Sequence, residues 1–80
     1  MNESEAREII VEIIADIAPD ADLEDLGGSE NFRERFGLDS MDFLSIVEDI
    51  ADQTGVEIPE SDYDHVQSLD AMAAYLAGRA

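Results

Sequence analysis

The chain has 80 residues, a length that suits one domain and leaves little room for a deep catalytic cleft. Its 21 acidic residues outnumber its four arginines, and the formal net charge of −17 disfavours binding to nucleic acid or to anionic membranes. The sequence contains no cysteine and one histidine, which excludes disulfides and thiolate or histidine-rich metal sites, so we expect no bound metal.

The sequence also argues against a membrane span and against disorder. No apolar run approaches the ~18 residues that a membrane span needs, and the polar, acidic N-terminus is unlike a signal peptide. Hydrophobic residues make up 45% of the chain and recur at helical spacing, which is enough to build a core. We therefore expect residues 1–80 to form one domain of a cytoplasmic, monomeric protein.

The first predicted helix runs from Glu3 or Ser4 to about Ala18, and Pro19 prevents its continuation. Asn2 or Ser4 can cap its N-terminus. Its apolar residues recur at a spacing of three to four, which favours a helix over a strand. The predicted buried stripe consists of Ala6, Ile9, Ile10, Ile13, Ile14 and Ile17.

A long connection with few regular signals is predicted for residues 19–36. Its acidic run from Asp20 to Asp25 invites comparison with a calcium loop. The EF-hand pattern, however, needs glycine at the place of Asp25 and glutamate at the place of Asn31, so we interpret the run as a solvated loop. Four apolar side chains are expected to anchor the connection against the helices: Leu23, Leu26, Phe32 and Phe36.

The second predicted helix runs from Ser40 to Thr54 and stops at Gly55. Asp39 suits the N-cap, and Asp42 lies three positions later, where a carboxylate meets free backbone N–H groups. With Asp39 as the cap, the Ser40 hydroxyl is not needed to close the helix end and is available for modification by another enzyme. Serine is itself a common N-cap, so a structural role for Ser40 is the alternative.

A helical wheel of ~100° per residue divides this helix into two faces. The face expected to pack on the other helices carries Phe43, Leu44, Val47, Ile50, Ala51 and Thr54. The opposite, acidic face carries Asp42, Ser45, Glu48, Asp49 and Asp52, with Met41 inside it and Ile46 at its border. This pattern fits either an ordinary amphipathic helix or a docking face for a partner.

The rest of the chain predicts a bend, a short helical turn and a last helix. Residues 56–59 form an extended bend, with Ile58 pointing to the core, and residues 61–66 form the turn. His65 has no acid–base partner at a fixed spacing and is expected at the surface. Ser68 caps a helix over residues 69–77 that ends at Gly78 and buries Leu69, Met72, Ala73 and Leu76. The predicted fold is all-α, a small four-helix bundle of three main helices and one short helix, with a long loop between the first and second helices.

The stretch G-L-D-S-M-D-F-L-S-I-V-E-D-I, residues 37–50, is followed by V-E-I-P-E-S-D at residues 56–62 and resembles the acyl carrier protein family. The resemblance continues to Leu76, and residues 1–35 have the length and helix pattern of the family's first helix and loop. It implies that Ser40 carries 4′-phosphopantetheine in phosphodiester linkage, with an acyl group as a thioester on the terminal thiol. It also implies that Asp39 helps to bind the magnesium used by the phosphopantetheinyl transferase.

The resemblance further implies a partner surface and a cargo pocket. Partner enzymes of the family recognise the helix that bears the serine, and the short helix after Pro59 lies beside the acyl pocket. The predicted docking surface, which would meet basic surfaces of acyl-loading or acyl-transferring enzymes, is Met41, Asp42, Ser45, Ile46, Glu48, Asp49 and Asp52. The predicted acyl pocket is Phe43, Leu44, Val47, Ile50, Thr54, Ile58, Tyr63, Val66 and Leu69.

We therefore predict a carrier for fatty-acid, lipid or polyketide-type biosynthesis that is not itself an enzyme. The alternatives are an aminoacyl or peptidyl carrier, an unmodified acidic adaptor, and a hydrolase with Ser40 as nucleophile. Against the hydrolase, no histidine lies near Ser40 in sequence and no G-x-S-x-G motif occurs. Arg35-Phe36, Ser45 and Thr54 depart from the usual family pattern and favour a specialised carrier, in which Thr54 leaves space for a larger cargo.

Overall fold

The computed structural model describes residues 1–79, and its regular elements in that range are all helical. Four α-helices occur in chain order: α1 (Glu3–Ile17), α2 (Phe32–Phe36), α3 (Ser40–Thr54) and α4 (Leu69–Arg79). Two 3₁₀ segments, Leu23–Asp25 and Glu60–His65, lie in the connections. The prediction of an all-α, small helical bundle is confirmed. None of the helices in residues 1–79 combines the length and the apolar character that a transmembrane segment needs.

The core lies where α1 packs against α4 and α3. Each of these helices contributes one apolar stripe, because residues three or four apart share a helix face. A fully buried Ile, Leu or Phe side chain stabilises the fold by roughly 1.5–3 kcal/mol relative to an exposed one. The buried side chains of these three helices are Ala6, Ile10, Ile13 and Ile14 of α1, Phe43, Ile46, Val47 and Ile50 of α3, and Leu69, Met72, Ala73 and Leu76 of α4.

The bounds of α1 agree with the prediction. The Asn2 side chain accepts the backbone N–H of Glu5 at 2.8 Å, and the Ala18 N–H donates to the Ile14 carbonyl at 2.7 Å just before the proline. Ile9 and Ile17 were expected in the buried stripe but are only half-buried, because they lie at its edges.

The connection after α1 is more regular than predicted, since it contains the five-residue helix α2 and a 3₁₀ turn. Asn31 caps α2 by accepting the Glu34 N–H at 3.0 Å. Gly37 ends it with a φ of 65°, a left-handed conformation that glycine adopts without steric cost. Of the four predicted anchors, Phe32 and Leu26 are buried, and Leu23 and Phe36 pack half-buried against the core.

The short helix after the extended bend was predicted for residues 61–66 and is a 3₁₀ segment, Glu60–His65. The last helix was predicted to end at Gly78, and this is wrong, since α4 continues to Arg79. Arg79 lies with its guanidinium carbon 3.6 Å from the centre of the Tyr75 ring, and this contact one turn back stabilises the last turn. At the other end, Ser68 caps α4 as predicted by accepting the Ala71 N–H at 3.1 Å.

Asp70 of α4 contacts both α1 and the connection between α1 and α2. Arg7 of α1 forms an ion pair with the Asp70 side chain, and the Asp70 backbone N–H donates to the Gly28 carbonyl at 3.0 Å. A Cβ at Gly28 would collide with the Asp70 carboxylate, so a larger residue there would displace the Asp70 side chain from its present position. One residue of α4 therefore fastens α1 and the connection together.

Candidate functional site

Ser40 is the first residue of α3 and is exposed to solvent. The turn around it is closed by its neighbours. The Asp42 N–H donates to Asp39 Oδ1 at 2.9 Å, and the Asp39 N–H donates to Asp42 Oδ2 at 3.3 Å, which completes a capping box. The cap therefore uses Asp39 and Asp42 and leaves the Ser40 hydroxyl out. An accessible primary alcohol stands at the positive end of a helix, where an attached anionic group is stabilised.

Most of the predicted docking surface is accessible, but one member is not. Ser45, Glu48 and Asp52 are exposed, and Asp42 and Asp49 are half-buried. Met41 is 76% exposed, the largest exposure among the large hydrophobic side chains of residues 1–79. Ile46 is fully buried, so the expectation that it contacts a partner is wrong.

The reason for the error at Ile46 is the rotation of α3 about its axis. The buried side is centred between Phe43 and Ile50 and is turned towards Ile46, which lies within it. The same rotation moves Leu44 to the opposite edge, where its side chain is 43% exposed. The expectation that Leu44 packs inside the bundle is therefore wrong as well.

A groove of about 540 Å³ runs along this edge of α3. Its walls are mostly apolar, and four predicted pocket residues line it: Leu44, Val47, Ile58 and Tyr63. The sequence did not indicate the other lining residues, which are Glu48, Ala51, Glu57 and Pro59. Two of these are carboxylates at the groove's edge, where the glutamate side chains reach solvent.

Five residues expected in the pocket do not line the groove. Phe43, Ile50, Val66 and Leu69 are buried between the helices and belong to the core. The Thr54 hydroxyl donates to the Ile50 carbonyl at 2.7 Å and accepts the Val56 N–H at 3.1 Å. Thr54 therefore closes the C-terminal end of α3 by hydrogen bonding, and it does not line the groove.

An aromatic cluster lies under the start of α3. The Phe43 ring stacks on Phe32 at a centroid distance of 6.3 Å and meets the Tyr63 ring edge-on at 5.2 Å. The guanidinium carbon of Arg33 lies 4.9 Å from the centre of the Phe43 ring. These four side chains come from three separate parts of the chain, so no local sequence pattern indicated the cluster.

The polar contacts outside the start of α3 hold other parts of the fold together. Arg35 donates to Glu30 at 2.6 Å and to Asp25 at 3.0 Å, and these hydrogen bonds, led by the one to Glu30, raise the pKa of Arg35. The Tyr75 hydroxyl donates to Asp62 Oδ2 at 2.7 Å, which ties α4 to the 3₁₀ segment before it. Within residues 1–79, no three acidic or histidine side chains are grouped so that they could hold a metal ion.

Comparison with known proteins identifies the family. Residues 7–76 match the model of the phosphopantetheine attachment site family. The chain is 36% identical over 47 residues to acyl carrier protein 2, mitochondrial, of Arabidopsis thaliana, a match that covers 59% of this chain and 37% of that protein. It is 27% identical over 66 residues to an acyl carrier protein of Streptomyces coelicolor, covering 82% of this chain and 72% of the relative. It is 35% identical over 46 residues to an acyl carrier protein of Lactobacillus johnsonii, covering 58% of each.

The family model covers both the start of α3 and the groove beside it. Members of the family are carriers and not enzymes, and their cofactor is covalently attached 4′-phosphopantetheine. Such an attachment requires an accessible hydroxyl. Ser40 is exposed and its hydroxyl takes no part in the cap of α3, so it fits this requirement. The chain belongs to the acyl carrier protein family, the phosphopantetheine-bearing carriers.

Proposed function

We propose that Ser40 is the attachment point for 4′-phosphopantetheine and that the protein presents acyl groups to successive partner enzymes. The observation that carries this proposal is the exposed Ser40 hydroxyl at the first position of α3, with Asp39 and Asp42 closing the cap in its place. When bound, the cofactor supplies a terminal thiol that holds cargo as a thioester. The fold contributes a rigid base for that arm.

Asp39 has a second role in this proposal. Its carboxylate is on an exposed residue directly before Ser40. Carboxylate oxygens are preferred ligands of magnesium, and magnesium bound to phosphates usually takes one or two protein carboxylates besides several waters. Asp39 therefore contacts the magnesium that a phosphopantetheinyl transferase uses, while its other oxygen keeps the helix capped.

The exposed side of α3 is the proposed docking face, defined as Met41, Asp42, Ser45, Glu48, Asp49 and Asp52. Met41 offers apolar contact area, and the carboxylates around it attract a basic surface of the transferase or of an acyl-transferring enzyme. Each exposed ion pair contributes only ~0.2–1 kcal/mol, so recognition depends on several of them acting together.

The groove along α3 is the proposed resting place of the cargo. Its apolar walls favour the hydrocarbon part of an acyl group, because burial of apolar surface is favourable. The names of the three relatives refer to acyl carriage, which supports a role in fatty-acid, lipid or polyketide-type biosynthesis. An aminoacyl or peptidyl carrier uses the same attachment chemistry and is the alternative.

Residues 1–80 are one carrier domain in this proposal, and the protein acts as a monomer in the cytoplasm. Few large apolar side chains are exposed in residues 1–79, namely Met1, Met41 and Leu44, which supports the monomer. One relative is named as mitochondrial, so an organelle is the alternative location.

The experiment that tests the proposal is intact-mass measurement after incubation with coenzyme A, magnesium and a broad-specificity phosphopantetheinyl transferase. The wild type should gain the mass of one arm. Ser40→Ala should gain none and should keep its helical circular dichroism, because Ser40 does not cap α3. Ser61→Ala, which removes an exposed serine of the 3₁₀ segment outside the docking face, is the matched control and should be modified like the wild type.

Two outcomes would contradict the proposal. Mass gain in Ser40→Ala would mean that another residue is the attachment point. Failure of the wild type to gain mass with several transferases would favour an unmodified acidic adaptor.

A further inference from the structure

Arg33 is a cation that the fold does not neutralise. Arg7 pairs with Asp70, and Arg35 pairs with both Asp25 and Glu30. Within residues 1–79, Arg33 forms no ion pair with a carboxylate and instead lies half-buried over the Phe43 ring. This contact places the guanidinium over the ring, which offers no oxygen acceptor, so its N–H donors remain available.

The position of Phe43 brings Arg33 to the start of α3. Phe43 follows Ser40 by three residues, so the two side chains lie on neighbouring turns, with Cβ atoms roughly 5–6 Å apart. Side chains on a helix lean towards its N-terminus, which directs the Phe43 ring to the turn that carries Ser40. The chain between Arg33 and Ser40 turns back on itself, because Gly37 is left-handed and the Leu38 N–H donates to the Arg33 carbonyl at 2.9 Å.

The electrostatic environment at the N-terminal end of α3, close to Arg33, favours a bound anion. The N-terminal end of a helix carries partial positive charge, which repels a cation and attracts an anion. The two acidic residues that flank Ser40, Asp39 and Asp42, each accept a backbone N–H in the cap of α3, and neither forms an ion pair with Arg33. A phosphodiester on Ser40 would add one negative charge beside these two carboxylates, and a guanidinium within reach offsets that repulsion by charge-assisted hydrogen bonding.

We propose that Arg33 binds the phosphodiester oxygens of the arm on Ser40 and so acts as a positioning residue for the cofactor. This inference rests on the proposed function, in which Ser40 is the attachment point. Arg33 lies on Phe43, and Phe43 meets Tyr63, which lines the groove. Binding by Arg33 therefore holds the base of the arm beside the aromatic cluster, one member of which also lines the cargo groove.

The test compares the arginine side-chain N–H resonances of the apo and holo wild-type protein, after intact mass has established that the arm is on Ser40. The Arg33 Nε–H resonance should shift on conversion to the holo form, whereas those of Arg7 and Arg35 should stay in place. The ³¹P resonance of the phosphodiester should shift in Arg33→Gln relative to wild type and return towards the wild-type position in Arg33→Lys. Arg35→Gln removes the same charge from the same short helix and should leave the ³¹P resonance unchanged.

The outcomes separate this inference from the proposed function. An arm that is absent from Ser40 overturns both. An arm that is present on Ser40, together with an unmoved Arg33 resonance in the wild type, overturns the role of Arg33 alone. The wild-type comparison decides the matter even if Arg33→Gln is a poor substrate of the transferase.

Discussion

Asp39 and Asp42 each accept the other's backbone N–H, at 2.9 Å into the Asp39 carboxylate and 3.3 Å into the Asp42 carboxylate. Two donors at the start of α3 are thereby satisfied by residues on either side of Ser40. Asp39 and Asp42 consequently stabilise this helix end, whereas Ser40 supplies the hydroxyl. Mutation can therefore test the two roles separately.

Asp39→Ala should lower the free energy of unfolding by about 0.5–2 kcal/mol, because the Asp42 N–H loses its acceptor. Urea unfolding measures this change. Ser40→Ala should stay within about 0.5 kcal/mol of the wild type, as should the control Glu48→Ala at an exposed mid-helix position. An equal loss for Asp39→Ala and Glu48→Ala would show that the cap contributes little.

Reversing two charges on the docking face should weaken binding of the phosphopantetheinyl transferase. Glu48 and Asp52 are suited to this test because both are exposed and neither takes part in the cap. The double change to lysine should cost about 1 kcal/mol or more, roughly a fivefold rise in Kd. Isothermal titration calorimetry at two salt concentrations measures the effect, which should shrink at high salt because screening acts over about 8–10 Å.

The matched control for that test is Glu8→Lys with Glu12→Lys on the exposed side of α1. It changes the net charge by the same amount on a different helix from Ser40. If both double variants lose the same affinity at every salt concentration, the partner senses only the overall charge and a localised docking face is ruled out.

Filling the groove should displace the cargo. Ala51 lines the groove and is half-buried, so Ala51→Phe places a ring in the space. In the wild type, attaching a straight acyl chain should shift the amide resonances of groove residues such as Leu44 and Ile58. These shifts should largely disappear in Ala51→Phe but persist in Ala74→Phe, which adds the same ring at an exposed position of α4. Unchanged shifts in Ala51→Phe would mean that the cargo rests elsewhere.

Tyr75 should make stability sensitive to alkaline pH. Burial, followed by the hydrogen bond to Asp62, raises the pKa of Tyr75 above its ordinary value of 10.0, although the nearby Arg79 acts in the opposite direction. The pKa of Tyr75 is therefore higher in the folded state than in the unfolded state, so the protonated hydroxyl contributes to the free energy of unfolding. This contribution is fully present below pH 10 and is lost as pH rises through the folded pKa. The free energy of unfolding, measured against pH, should therefore fall less steeply above pH 10 in Tyr75→Phe than in the wild type. Parallel curves would show that Tyr75 does not titrate differently on folding.

The bounds of α3 could be predicted from the sequence because its signals are local. Asp39 and Asp42 define its start, and Gly55, with a φ of 76°, defines its end. The helix α2 was missed for the opposite reason, since its five residues are too few to show a helical period. Its cap, Asn31, and its stop, Gly37, were present in the sequence without a periodic segment between them.

The sides of α3 could be predicted only in part. Periodicity gives the width of an apolar stripe but not the rotation at which neighbouring helices cover it, and the errors at Leu44 and Ile46 follow from this. The position of Arg33 on Phe43 depends on how α2 packs against α3, which no local pattern encodes. Thr54 shows a further limit, because the sequence did not indicate that its hydroxyl would bond to the backbone at the helix end, away from the groove lining.

The tie between α1 and α4 bears on when the protein can fold during synthesis. Arg7 and Asp70 are 63 positions apart, and α1 packs more extensively on α4 than on any other helix. The isoleucine stripe of α1 is therefore covered only in part, by α3, until α4 has left the ribosome, which delays closure of the core to the end of translation of this segment. The proposed attachment of cofactor to Ser40 should in consequence follow the emergence of α4 from the ribosome, since α3 gains its rigid setting only when α4 docks.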